Sequence, residues 1–174
     1  SKGASLVFCW DTHLTKIKGR NVLFIVNASN RYTIAMTDIE PRNWNYYTMY
    51  IRSVIHGVMQ EMGYSEDQIG QYFKMSGDTT VTKTHGRKSV GGINRMVMDA
   101  QYFGKKLEKE AKYQWELSEY LNRDICQPEG FDAYGYPSEL FKLDMERLGI
   151  AAKRKPAKVI DFAKYIENNR GTNH

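Results

Sequence analysis

The sequence predicts an α+β fold: a small antiparallel sheet of three to five strands in the N-terminal half, packed against several helices, with a C-terminal helical extension. Three observations carry this. Residues 21–27 (NVLFIVN) form an unbroken β-branched and aromatic run, as a central strand buried on both faces requires. Residues 31–37 (RYTIAMT) alternate, putting Tyr32, Ile34 and Met36 on one face. Beyond Pro41 the apolar residues recur at spacings of three and four, which is helical periodicity. Strands first and helices later is the α+β order.

Taken in order, residues 5–10 (SLVFCW) read as a buried strand, and Lys16 to Arg20, with Gly19, reads as a turn. Ala28-Ser29-Asn30 is a three-residue turn closing a hairpin, with Asn30 suited to a left-handed backbone. A long helix follows Pro41, its stripe formed by Trp44, Tyr47, Ile51, Val54, Ile55, Val58 and Met62, and Gly63 ends it. Ser65 and Gln68 form a capping box that opens a short helix reaching Lys74. Residues 79–83 suit a strand. Helices are expected at 89–103, at 110–122 and at 137–148, the last opened by Pro137 and closed by Gly149. Domain organisation is read as one α+β domain over 1–150, then a basic linker and amphipathic helix (157–167) within 151–174.

The 174 residues suffice for one domain with a sizeable core, and no apolar run approaches the ~20 residues of a membrane span, so no membrane partner is expected. Ser1-Lys2-Gly3 runs directly into apolar residues without a long h-region, so no signal peptide is expected; a Ser at position 1 suggests that the natural chain starts earlier. Two cysteines, Cys9 and Cys126, are too few for a disulfide framework, and Cys9 reads as a small core residue rather than a reactive thiol. A cytoplasmic location follows from that usage.

The net charge of +5 is unevenly placed. Residues 76–106 carry six Lys/Arg against two Asp/Glu, as do residues 151–174, whereas residues 107–150 carry five against ten. Local anion capture or self-association suits this better than a broad nucleic-acid surface. The basic charge peaks in residues 82–95, TKTHGRKSVGGINR. Ser89 is placed to cap a helix opening at Val90, with Gly91 and Gly92 baring its first turn, and Lys83, Arg87 and Lys88 add cationic donors. The spacing is not that of a P-loop. The alternative is a solvated basic turn whose glycines serve backbone geometry.

The candidate anion-binding set is therefore Arg31, Lys83, Thr84, Arg87, Ser89 and Asn94, with Asn27, His85 and Lys88 as further contributors. No metal or other cofactor is called for: His13, His56, His85 and His174 lack ligand spacing. No nucleophile motif is present, and Glu108-Glu110 and Glu116-Glu119 read as solvated helix faces; those last two and Asp124 equally suit contact with a basic partner. The aromatic residues, at 13%, suit stacking on single-stranded nucleic acid but fit a core better.

Trp10, the hairpin Asn27 to Arg31-Tyr32, the turn Lys83-Thr84-x-x-Arg87 with Ser89, Gly91 and Asn94, and the helix end Leu121-Asn122-Arg123-Asp124 form a pattern over residues 6–148. It resembles a family of uncharacterised bacterial proteins classed as a domain of unknown function. Lys88, inserted between Arg87 and Ser89, departs from that pattern. The resemblance implies a fold and a polar cluster joining the hairpin arginine to the basic turn; it implies no reaction.

Three functions follow as expectations. The first is a binding or regulatory module holding a phosphate of nucleic acid or nucleotide, or a partner's carboxylate. The second is an enzyme on a phosphorylated or nucleotide substrate, with His85 or His13 as acid or base. The third is a phage-defence, anti-defence or toxin–antitoxin interaction protein, with the C-terminal helix binding a protein partner or a second copy. The absence of nucleophile, metal set and carboxylate dyad leans against an enzyme.

Overall fold

The computed structural model describes residues 6–39, 44–77 and 86–154, with the side chains of 44–47 and 86–91 outside the description. Three strands, β1 (Trp10–Ile17), β2 (Arg20–Asn27) and β3 (Thr33–Thr37), form an antiparallel meander in the order β1-β2-β3. Five helices follow among the described residues: α1 (Trp44–Glu61), α2 (Glu66–Ser76), α3 (Gly86–Gln101), α4 (Trp115–Asn122) and α5 (Pro137–Arg147).

The sheet is covered on both faces, which explains the unbroken apolar run of β2. Leu23 and Ile25, with Trp10, Ile34 and Met36, meet Ile51, Ile55 and Met59 of α1, Ile69 and Tyr72 of α2, and Phe141 and Met145 of α5. Val22, Phe24 and Val26, with Ile17 and Ala35, meet Ile93, Met96 and Ala100 of α3, Phe103, and Leu117 and Leu121 of α4. A strand sandwiched this way needs apolar residues at every position.

The predicted turns and caps occur. Lys18 and Gly19 both have positive φ (51° and 80°), the two-residue hairpin backbone that matches strand twist. Ser65 and Gln68 form the reciprocal capping box of α2. Gly63 and Gly149 take positive φ just past α1 and α5.

Several boundaries differ. Residues 6–9 are not strand: Cys9 N–H donates to the Leu6 carbonyl at 3.0 Å, and the Val7 carbonyl is held by Tyr72 Oη (2.7 Å) and Asn27 Nδ2 (2.8 Å). Their apolar character serves to plug the core, and β1 starts where Trp10 finds its partner Asn27. The left-handed residue of the second hairpin is Arg31 (φ 60°), not Asn30, whose side chain instead bonds Tyr32 N–H and Asp144. Helix α3 starts at Gly86 rather than Val90, so Ser89 is inside the helix and does not cap it. The strand expected at 79–83 and the helix at 157–167 lie outside the described residues. Residues 153–154 of the expected linker reach back to α5, where Arg154 pairs with Glu146 (2.6 Å) and Glu139 (3.0 Å).

Helix α4 begins at Trp115 rather than residue 110 because the preceding segment is drawn into the free edge of β3. Thr37 N–H donates to the Lys112 carbonyl (2.7 Å) and Gln114 N–H to the Ala35 carbonyl (2.9 Å). Past that point side chains take over. Ser118 Oγ accepts from Ala35 N–H at 3.0 Å, and Asn122 both accepts from Thr33 N–H (2.7 Å) and donates to its carbonyl (2.8 Å). Four helical residues rise about 6 Å and two strand residues about 6.6 Å, so positions 114, 118 and 122 keep step with alternate residues of the edge.

Candidate functional site

The hairpin between β2 and β3 aims Arg31 at α3. Asn27 shapes the loop: its Oδ1 accepts from Ser29 N–H (3.0 Å) and Asn30 N–H (3.3 Å), and Arg31 N–H donates to the Asn27 carbonyl (2.9 Å). Arg31 then adopts a left-handed backbone that glycine or asparagine takes more cheaply. Its guanidinium rests on Gly92 of α3: a Cβ added there would lie 2.7 Å from Cζ, Nε and Nη2 of Arg31. Gly92 therefore provides a close approach rather than a bare first turn.

From Gly92 a polar stripe runs down α3 at helical spacing, through Arg95 to Asp99, with Met96 beneath it. It faces α4 and the segment after it. Arg31, Thr33, Gly92, Arg95, Met96, Asp99, Asp124 and Cys126 line a recess of about 20 Å³, room for a single water. Asp99 and Asp124 also line a larger adjoining cleft of about 490 Å³, walled by Phe103, Lys105, Glu116, Glu119, Tyr120 and Arg123. The two aspartates thus stand where recess and cleft meet.

The two carboxyls interact across that junction. Burial, the Asp124 hydrogen bond and the Asp124 charge push Asp99 up to about 6, against the pull of Arg95. Cys126 is buried and its thiol is pushed up, first by burial and then by Asp124, with Arg31 and Arg95 pulling the other way. A thiol held protonated is a poor nucleophile. Burial and Asp11 likewise push up the half-buried Cys9.

Of the residues singled out in the sequence, Arg31 lines the recess. Asn94 lies on α3 but is exposed and turned away from the recess lining. Asn27 is buried and its amide is committed to the loop and to Val7. Arg87, Lys88 and Ser89 fall in the first turns of α3, their side chains outside the description, and Lys83, Thr84 and His85 lie outside the described residues. His13 sits on β1 opposite Phe24, and His56 bonds Glu66 at 2.9 Å on another face of the molecule. Arg95, Asp99 and Cys126 were not anticipated. Their signal is faint: Gly92, Arg95 and Asp99 recur at helical spacing beside the apolar stripe of Ile93, Met96 and Ala100.

A family model for a domain of unknown function, DUF6933, matches residues 1–140. The chain belongs to this family. The DUF6933 match takes in the whole sheet and every residue of the recess, and it ends inside α5. No curated protein and no solved structure matches the chain.

Chemically, the DUF6933 recess offers two guanidinium groups for an anion and one carboxyl pair for a proton. Among the described residues no group of three or more His, Cys, Asp or Glu is arranged to hold a metal ion, and no helix is long and apolar enough to cross a membrane.

Proposed function

We propose that the protein is a binding module whose anion site lies at Arg31 and Arg95, beside the basic N-terminal turns of α3. The observation that carries this reading is the contact of Arg31 with Gly92. It joins the hairpin arginine to the helix that the basic segment opens, at the expense of a left-handed backbone on a non-glycine residue. The order of charge along α3 supports it. Arg87 and Lys88 fall in the first turn and no acidic residue does, a charge order that does not complement the positive end of a helix dipole. A bound phosphate or carboxylate supplies the missing negative charge. The recess has room only for a water, so the anion sits at its mouth, beside Arg31 and Arg95.

The test is thermal unfolding with inorganic phosphate at low and moderate salt. The reading expects a rise in midpoint at low salt, weakened by salt, and lost in Arg31→Ala and in Arg87→Ala. An undiminished shift in Arg31→Ala would place the anion elsewhere.

A second reading, an enzyme on a phosphorylated or nucleotide substrate, has one observation in its favour. The Asp99 carboxyl, pushed up to about 6 by burial and Asp124, titrates closer to neutral pH than an ordinary carboxyl and lines the same cleft, as suits a general acid–base group. It predicts turnover that is abolished in Asp99→Asn while phosphate binding persists. The interaction-protein reading turns on residues 155–174, and deletion of that tail with measurement of oligomeric state tests it.

A further inference from the structure

The cleft beside the arginines is far larger than an inorganic anion needs, and its lining has the opposite charge. Asp99, Glu116, Glu119 and Asp124 face Lys105 and Arg123 there, and each of these cations is already paired: Lys105 with Glu116 at 3.3 Å, Arg123 with Glu119 at 3.6 Å. A second phosphate would be repelled from that lining. A fitting ligand is therefore lopsided, with one anionic end at the arginines and a body that donates hydrogen bonds to carboxylates.

The aromatic residues narrow the choice. Tyr120 lines the cleft with 42% of its surface exposed, backed by Phe103 at 5.4 Å between ring centroids. An exposed ring on a rigid aromatic support is a stacking platform for a flat partner. A nucleobase supplies a π-face and N–H donors on its edge, and carboxylates accept from such edges. The volume of about 490 Å³ falls within the ordinary range of small-ligand sites.

Building on the anion reading above, we infer that the α3–α4 cleft holds a phosphorylated nucleoside, its phosphate at Arg31 and Arg95 and its base on Tyr120. Guanine suits the wall best, because its ring N–H and amino group meet one carboxylate side by side. The free nucleotide and the end of a single strand present the same chemistry.

Titration calorimetry on the full chain, at one fixed low salt, tests this with inorganic phosphate, phosphoethanolamine, GMP, UMP and a guanosine-ended trinucleotide. GMP is expected to bind roughly tenfold tighter than phosphate, the gain typical of one stacked base. That gain should vanish in Tyr120→Ala and persist in Tyr120→Phe. A trinucleotide tighter than GMP makes the strand the natural source, and an equal or weaker one makes it the free nucleotide. GMP no tighter than phosphate, with phosphate binding still lost in Arg31→Ala, overturns the nucleoside inference and leaves the anion site standing. Phosphoethanolamine matching GMP overturns it in favour of an amine. No binding of phosphate or any nucleotide overturns both.

Discussion

Arg31 lies against Gly92 so closely that a single methyl group on the glycine would enter its guanidinium, at 2.7 Å. The atoms that such a methyl meets are the end of a flexible side chain, so the arginine can swing aside at little cost. Meanwhile alanine is about 1 kcal/mol better than glycine inside a helix. Gly92→Ala is therefore expected to leave the unfolding midpoint unchanged or raise it by up to about 3 °C, while displacing Arg31 and weakening phosphate binding. Thermal unfolding with and without phosphate reads both effects. A large loss of stability would show that Gly92 serves packing alone.

The backbone of Arg31 makes the complementary prediction. Its φ of 60° costs roughly 1 kcal/mol for a residue with a Cβ, and glycine avoids this. Arg31→Gly should unfold at or slightly above the parental temperature yet lose its response to phosphate. If Arg31→Gly is markedly destabilised instead, the side chain is a structural strut between hairpin and helix.

A contrasting glycine is Gly130. A Cβ there would lie 2.0 Å from Ser29 Oγ and 2.7 Å from the Ser29 carbonyl oxygen, which also accepts the Gly130 N–H at 2.9 Å. The carbonyl belongs to a loop pinned by Asn27 and by the Asn30–Asp144 bond at 2.9 Å, so it cannot swing away as Arg31 can. Gly130→Ala should cost about 1–3 kcal/mol by overpacking, a fall of roughly 3–10 °C in midpoint. An unchanged midpoint would mean that the loop yields.

Local chemistry made much of the fold legible. The β2 run, the Gly19 turn, the Ser65–Gln68 box and the Pro137 start each depend on residues close in sequence. The errors share one cause, which is tertiary use of a segment with the opposite local preference. Residues 6–9 look like strand and serve as a plug; residues 112–114 look helical and pair with β3; Gly92 looks like part of a helix start and lies within α3, against the Arg31 guanidinium. Arg31 and the glycines of the site could be singled out. The Asp99–Asp124 pair could not, because only the packing of α3 on the end of α4 brings together two acids whose neighbours in sequence say nothing of each other.

That carboxyl pair makes stability depend on pH in a definite direction. Asp99 holds its proton up to about 6 in the folded chain, against 3.8 as its ordinary value. Between those values the folded state binds more protons than the unfolded one, so stability falls as pH rises through that window. Asparagine keeps a donor toward Asp124 and carries no charge. Asp99→Asn should match the parental chain near pH 4 and exceed it at pH 7.5, by about 1–3 °C because solvent screens a partly exposed pair. Groups titrating in both chains, Glu66 beside His56 among them, cancel in the difference. A difference that stays flat with pH would show that the pair shares no proton.

The edge of β3 gives the largest expected loss of stability. Asn122 is buried and its amide satisfies both the N–H and the carbonyl of Thr33, whereas Ser118 serves only the N–H of Ala35, its own O–H going to the Gln114 carbonyl at 2.7 Å. Truncation leaves two buried backbone groups without partners in the first case and one in the second. Asn122→Ala should therefore cost about 2–3 kcal/mol, or roughly 5–10 °C, and Ser118→Ala about half as much. Hydrogen exchange separates this from a general packing loss: the Thr33 amide should lose protection in Asn122→Ala and the Ala35 amide in Ser118→Ala, each ahead of the β2 amides. An exposed edge also invites pairing with a second chain, so Asn122→Ala is expected to aggregate on heating at concentrations where Ser118→Ala does not. Equal protection of both amides in both variants would mean that α4 merely covers the edge and that its side chains do not replace a fourth strand.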